Sequence, residues 1–297
     1  MRPQHFGAVT VQKIVELPSL ALDRNWLIGN ATAEGVEQER SWLGPEFIEP
    51  ASGRLVISVH SFLVRTPRLT VLVDTCCGNG RHRGPDSPFD RLSTGYLGEL
   101  ERAGVKPDGV DLVFCTHLHV DHVGWNVVER DGRFTPTFPN ARYLFNREDF
   151  EHRLDCDRRG QGSYATRVAF RECVLPLAEA GLVDFVDPQA CIEQDLDHDL
   201  ALAPLPGHCP GHTGLRIRGG GTEALITGDA IHHPIQLPHP DWYCAADVDP
   251  ETSSKTRRDL IERYADTGRM LLTGHFAGAT AGRIVSRNGL IRFDFVE

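Results

Sequence analysis

One short segment limits what this chain can become. The run Asp111-Leu112-Val113-Phe114-Cys115 passes directly into Thr116-His117-Leu118-His119-Val120-Asp121-His122. Turn signals at Pro107 and Asp108 bound the apolar run, which reads as a buried strand. Three imidazoles and a carboxylate then fall within six residues, with no Lys or Glu among them. Surface histidines clustered by chance would not follow a buried strand in this way. Imidazole nitrogens and carboxylate oxygens are the donors that a zinc-like cation takes. Residues two apart in an extended stretch point the same way, so His117 and His119 can reach one cation together. Asp121 and His122 lie past the bend, where the chain turns into a helix, and can face a second cation.

Three further places present a metal-binding side chain where a strand runs into a glycine-containing loop. They are Pro206-Gly207-His208-Cys209-Pro210-Gly211-His212, Thr227-Gly228-Asp229-Ala230 and Thr273-Gly274-His275. Glycine lets the backbone turn sharply and come close to a ligand.

The rest of the chain is organised around strands with helices interspersed. Strand-like runs are expected at 8–16, 54–65, 69–74, 111–115, 142–146, 200–205, 214–218, 223–227 and 270–273, with a closing hairpin at 283–287 and 290–295 turning on Asn288-Gly289. Helical patterns lie at 93–103, 147–154, 164–180 and 251–266. Residues 17–50 show no clear periodicity and read as an irregular excursion with at most one short helix. A Pro-rich loop spans 234–250. No repeat or low-complexity linker interrupts the pattern, so residues 1–297 read as a single domain.

Composition narrows the chemistry. The chain has 297 residues, 40% hydrophobic and 24% charged, enough to bury a core without a metal as a staple. Any metal is therefore expected to serve chemistry. Lys plus Arg number 31 against 41 for Asp plus Glu, a formal charge of −10. Such a chain is a poor partner for phosphate backbones, so no nucleic-acid partner is expected. The eight cysteines form no C-x-x-C pair, which suits reduced thiols in a cytoplasmic protein. No apolar run reaches the roughly 18 residues of a membrane span, and the N-terminus lacks the apolar core of a signal peptide.

H-x-H-x-D-H, then P-G-H, then G-D, then a late G-H, in this order, resembles the metallo-β-lactamase fold superfamily over roughly residues 54–280. The resemblance implies an α/β fold, a four-layer αββα sandwich with the site at one edge of two sheets. It implies two divalent metal ions, zinc first, with manganese, cobalt or iron as alternatives. His117, His119 and His208 would hold one, Asp121, His122 and His275 the other, and Asp229 would bridge them. Asp74 matches the superfamily's early aspartate and would orient the histidine loop. His212 is either an alternative ligand or a hydrogen-bonding residue within its loop, the second being preferred. Cys209 would point away from the site as a small buried side chain.

The implied activity is that of a metallo-hydrolase in which a metal-bridging hydroxide attacks a small-molecule substrate. Asp121 or His232 would move the proton. In lactonase-type relatives a Tyr near the place of His232 approaches the substrate. Gly228-Asp229-Ala230-Ile231-His232 looks more like the branch that includes methyl parathion hydrolase, so His232 either hydrogen-bonds a substrate oxygen or a ligand carboxylate or has a purely structural role. His233 reads as packing or solvated. Trp242 and Tyr243 would form a pocket wall or anchor a long loop. His5, His60, His82, His152, His198 and His239 have no motif context. After His275 only 22 residues remain, too few for the helical C-terminal domain of the glyoxalase II thioesterases. A lactone or ester is the expected substrate, with phosphotriesters as a further class. The alternatives are a thioesterase and a mononuclear iron sulfur dioxygenase, in which some of these histidines are not ligands. Relatives often pair through N-terminal segments, so a homodimer is compatible with the resemblance.

Overall fold

A computed structural model describes residues 1–296. The chain opens with β1 (Gln4–Phe6), which turns back into the long β2 (Val9–Leu22). Two helices follow, α1 (Arg24–Leu27) and α2 (Ala33–Leu43), the latter capped by the Thr32 side chain accepting from the Gly35 amide. The antiparallel pair β3 (Leu55–Arg65) and β4 (Thr70–Val73) is next, then α3 (Tyr96–Arg102) and β5 (Leu112–Phe114), parallel to β4. One short turn of helix, α4 (Val120–Val123), carries Asp121 and His122. A small hairpin, β6 (Val127–Arg130) and β7 (Arg133–Pro136), precedes β8 (Arg142–Asn146). Helices α5 (Arg147–Arg159), α6 (Tyr164–Cys173) and α7 (Leu175–Glu179) lead to β9 (Val183–Val186).

The second half is built from β10 (Cys191–Gln194), β11 (His198–Pro204), β12 (Thr213–Gly219) and β13 (Thr222–Ile226). Helix α8 (Pro250–Tyr264), β14 (Met270–Leu272), β15 (Ala281–Arg287) and β16 (Leu290–Phe295) complete it. The strands form two seven-stranded sheets, ordered β1-β2-β3-β4-β5-β8-β9 and β10-β11-β12-β13-β14-β15-β16.

Side-chain alternation along the strands assigns the layers. Val71 and Val73 of β4, Phe114 of β5, Ala224 and Ile226 of β13 and Leu272 of β14 meet between the two sheets. Leu72 and Val113, one residue out of phase, face the other way and pack with Leu100, Phe170 and Leu177 of the helices that cover the first sheet. Leu225 and Leu271 likewise face outward, against Val36 of α2 and Leu260 of α8. Period-two burial on both sheets therefore yields four layers, αββα. Each such side chain, fully buried, contributes about 1.5–3 kcal/mol.

Three sequence expectations need correction. The irregular excursion does not begin at 17, because β2 runs on through Leu22. Pro18 is tolerated there since β1 pairs only with Val9–Val11, which leaves that edge of β2 unpaired, and the register with β3 shifts around Leu17. The excursion also holds an eleven-residue helix, α2, beside the four-residue α1. The helical stretch 164–180 is broken at Val174, just before Pro176.

Lys13 ties the first sheet to the loop after β14. Its ammonium reaches the Ser58 and Thr280 hydroxyls at 3.2 and 3.1 Å and the carbonyls of Phe276 and Gly278 at 3.4 and 3.1 Å. Burial pushes its pKa down to about 7. Between that value and the ordinary lysine range the unfolded chain binds a proton that the folded chain does not, so raising pH favours folding across this window. The stability of the wild type relative to Lys13→Met should therefore rise between about pH 7 and pH 10, by at most about 1.4 kcal/mol per pH unit. Paired urea titrations across that range check the slope.

Candidate metal centre

The sheet topology collects the motif residues at one edge. Strands β4, β5, β13 and β14 end in Asp74, the Thr116–His122 segment, Asp229 and His275, and the β11–β12 connection brings in His208. In the first sheet β4 and β5 are parallel, and in the second β13 and β14 are, so each pair ends on the same side.

Two groups of donors form there. The ligand atoms of His117, His119, His208 and Asp229 lie within 4.8 Å of one another, and those of Asp121, His122 and His275 form a second such group. Asp229 faces both. Its Oδ2 lies 3.4 Å from His208 Nε2 and 3.7 Å from His117 Nε2. Its Oδ1 lies 3.3 Å from His122 Nε2 and 3.2 Å from His275 Nε2. Asp121 closes the second group, at 3.8 Å from His122 Nε2 and 3.6 Å from His275 Nε2.

The outward-facing ring nitrogens fix the tautomers. His208 Nδ1 donates to Asp247 at 2.8 Å, His122 Nδ1 to Asp74 at 2.9 Å, and His275 Nδ1 to the Ser58 carbonyl at 3.0 Å. His117 Nδ1 lies 3.2 Å from the Thr116 hydroxyl, whose own proton goes to Asp74. With protons held on Nδ1, neutral His117, His208, His122 and His275 all turn lone pairs inward. His117 Nε2 and His208 Nε2 both sit 2.9 Å from His119 Nδ1, which has at most one proton to share. His122 Nε2 and Asp229 Oδ1 are buried without a hydrogen-bond partner. Acceptors converging on acceptors in a buried site repel unless a cation stands among them, and two hard-to-borderline divalent cations fit both groups.

Protonation follows the same field. Burial alone would lower His122, but Asp229, Asp74 and Asp121 together hold it well above the ordinary histidine range. Burial would raise Asp229, and His122, His275, His232 and His117 instead hold it well below the carboxylate range. Protons and divalent cations thus compete for the same lone pairs.

The motif's neighbours divide by contact. Asp74, with φ of +59°, accepts from the Thr116 amide at 2.7 Å and from His122, so it braces the loop and one histidine together. His212 donates from Nδ1 to the Leu205 carbonyl at 2.7 Å and accepts the Asp229 amide on Nε2 at 2.9 Å. Both its nitrogens are committed, and it positions Asp229 rather than joining either group. His232 Nε2 lies 3.0 Å from Asp229 Oδ2. His233 is buried, bound to the Phe47 carbonyl and to the Ile235 amide. Trp242 packs on Gly35 and Tyr243 on Gly29, anchoring the 234–250 loop to the N-terminal excursion. Gly207, at φ +124°, lets the P-G-H turn pass so close to α8 that a Cβ would lie 2.2 Å from the Ser253 amide.

Several participants escape a sequence reading. The Asp247 side chain is buried under the loop before α8, 39 residues from His208, and also accepts the Cys244 amide at 3.0 Å. Asp149 accepts the Leu118 amide at 2.7 Å and binds Arg153 at 3.2 Å, holding the middle of the H-x-H turn. Glu16 receives the Cys77 amide at 2.7 Å and the Trp125 indole at 2.6 Å. Nothing but acidity marks these three in the chain. Asp247→Ala should weaken cation binding at the His117–His119–His208 group about 10–100-fold, the usual cost of losing a carboxylate that orients a ligating histidine. Competition against a fluorescent zinc chelator measures it.

The geometry has relatives. The N-acyl homoserine lactonase AttM of Azorhizobium caulinodans is 29% identical over 193 residues, 63% of this chain and 66% of that protein. The N-acyl homoserine lactonase AiiA of Bacillus thuringiensis subsp. kurstaki is 25% identical over 177 residues, 59% of this chain and 60% of that one. The chain thus spans just under two thirds of the length of these curated relatives. Among solved structures, the hydrolase AbOPH superimposes with a TM-score of 0.79 at 21% identity, covering 99% of this chain and 97% of that one. AidC, a dizinc quorum-quenching lactonase, superimposes at 0.77 and 20% identity, covering 100% and 97%. The sequence model of the metallo-beta-lactamase superfamily matches residues 54–275, and with that match the H-x-H-x-D-H motif and the αββα sandwich agree: the chain belongs to the metallo-beta-lactamase superfamily.

Proposed function

We propose that this protein is a dinuclear metallo-hydrolase that opens lactones, N-acyl homoserine lactones first, with other small esters and phosphotriesters as slower substrates. The observation that carries the reading is Asp229, whose two carboxylate oxygens are turned to two separate donor groups. The likeness to AttM supports the lactone as substrate class.

His117, His119 and His208 would hold one divalent cation, Asp121, His122 and His275 a second, with Asp229 shared and zinc the preferred metal. Bound there, the two cations supply an acidified water at neutral pH and a Lewis acid for the carbonyl oxygen. Asp121 keeps 15% of its side chain exposed, against 4% for Asp229, so it is the carboxylate that meets substrate. It takes the proton from the attacking water and returns it to the ring oxygen as the C–O bond breaks. His232, donating to Asp229 Oδ2, holds that carboxylate in place. Residues 23–50, docked on the 241–245 loop, would shape the approach of the acyl chain. The eight cysteines are free, which supports action in the cytoplasm. Among the described residues no helix is long and apolar enough to cross a membrane.

Metal analysis with a substrate panel tests the reading. Two equivalents of zinc, manganese or cobalt, with lactone turnover fastest, is the expected result. One iron per chain with oxygen uptake on a thiol substrate would replace it with the dioxygenase alternative.

A further inference from the structure

Of the eight cysteines, one comes into the centre. Cys244 is 4% exposed and sits where the N-terminal excursion docks on the site. Its backbone forms a bridge with Ile28, its amide donates to Asp247, and the Leu27 carbonyl holds the next amide at 3.0 Å. Its thiol and one ring nitrogen each of His208 and His232 lie within 4.8 Å of one another, all three residues buried. The two imidazole rings lie with centroids 4.9 Å apart, tilted at 57° to one another.

A second observation points to a ligand. With His232 Nε2 engaged by Asp229, its buried Nδ1 has no well-aligned hydrogen-bond partner and only the Cys244 thiol to interact with. A buried nitrogen left without a well-aligned partner is costly, and the group beside it is a thiol, a weak hydrogen-bond donor but a strong soft-metal ligand. Cys209, although adjacent to His208 in sequence, is turned toward Asp149 and Arg153.

We propose that His208, His232 and Cys244 form a further metal-binding group, selective for thiophilic divalent cations. A nitrogen–nitrogen–sulfur set with one position open suits zinc in excess and, more strongly, cadmium. The thiol gives up its proton to solvent as the cation binds, and no oxidant is involved. His208 is shared with the His117–His119 group. While Asp247 keeps the proton on its Nδ1, His208 has one lone pair to give, so the two positions exclude each other. A thiophilic cation at Cys244 therefore empties the first position of the proposed hydrolytic centre. This consequence, unlike the binding itself, rests on the hydrolase reading above.

The full-length chain is titrated with Cd²⁺, and thiolate-to-cadmium charge-transfer absorption is followed in the ultraviolet. The expected result is an absorbance worth one thiolate, lost in Cys244→Ser and kept in Cys191→Ser and Cys156→Ser. Persistence of the band in a folded Cys244→Ser protein, checked by circular dichroism, overturns the assignment. ¹¹³Cd NMR of the wild type reads the same question without a variant. A sulfur-ligated resonance supports the group, and only nitrogen- and oxygen-ligated resonances overturn it. Cadmium added to the zinc-loaded chain should release one zinc and inhibit. A sulfur-ligated cadmium that releases no zinc overturns the mutual exclusion. A zinc-loaded chain that turns over no lactone before any cadmium is added, yet shows the sulfur-ligated signal once cadmium is present, refutes the hydrolase reading and leaves the cysteine group standing.

Discussion

Asp229→Asn should leave the fold standing and remove the second cation. The amide offers one neutral oxygen where the carboxylate turns one oxygen to His208 and His117 and the other to His122 and His275. It also turns an N–H₂ donor toward histidine lone pairs, where it hydrogen-bonds them and competes with the cation. Metal assistance supplies several kcal/mol of transition-state stabilisation, so lactone hydrolysis should fall on the order of 10³-fold or more. Atomic absorption after gel filtration should show the metal content drop from two per chain toward one, and kcat rather than KM should carry the loss. An Asp229→Asn protein with both cations and wild-type turnover would remove the bridge from the mechanism. His212 offers a milder counterpart. It holds the Asp229 amide from below, and its burial keeps it neutral, at a pKa near 3.

Gly124→Ala should cost more stability than any polar substitution near the site. A Cβ on Gly124 would lie 1.8 Å from the Cys77 carbonyl oxygen and 2.5 Å from the Gly78 amide nitrogen. Both obstacles are backbone, so no side-chain rotation relieves the clash. The Gly124 amide is also bonded to the Cys76 carbonyl at 2.7 Å, which ties the two turns together. Overpacking of this kind costs about 3 kcal/mol or more where the neighbours cannot yield. Because Gly124 directly follows the helical turn carrying Asp121 and His122, the displacement should also loosen the second donor group. Urea unfolding in the presence of a chelator isolates the fold term, and repetition with saturating zinc adds the metal term. Equal midpoints for wild type and variant under chelator would show that the two turns separate freely.

The backbone at Gly124 is ordinary helix, with φ of −60°, so nothing local demands glycine there. The demand comes from a turn 46 residues earlier in the chain, Cys77-Gly78. The same holds for Asp247, Asp149 and Glu16. Each is an unremarkable acid in sequence and becomes part of the centre only when the loop or strand bearing it packs against a ligand or its neighbour. Cys244 gains its meaning from two histidines on other loops. A local signal does mark one further element. Asp131-Gly132, between Val127–Arg130 and Arg133–Pro136, is a hairpin dipeptide, and both residues adopt positive φ. The strand Val9–Leu22 runs past a proline because an unpaired edge asks no amide of it, a circumstance set by how short the neighbouring strand is.

What the sequence by itself determined is the chemistry of the donors and the run of strands with helices between them. Histidines and aspartates at strand ends with glycine beside them, and apolar residues in period two, are local patterns with local physical causes. They mark the candidate donors and the strands, whereas the αββα layer order and the sharing of the donors between two cations came with the resemblance of the ordered motifs to the superfamily. Only the tertiary structure decided which oxygen of Asp229 faces which group, which histidines carry their proton outward, and that His212 is spent on hydrogen bonds. Those outcomes depend on carbonyls and carboxylates brought in from distant parts of the chain, and a tautomer is set by whatever partner the fold delivers to the other nitrogen.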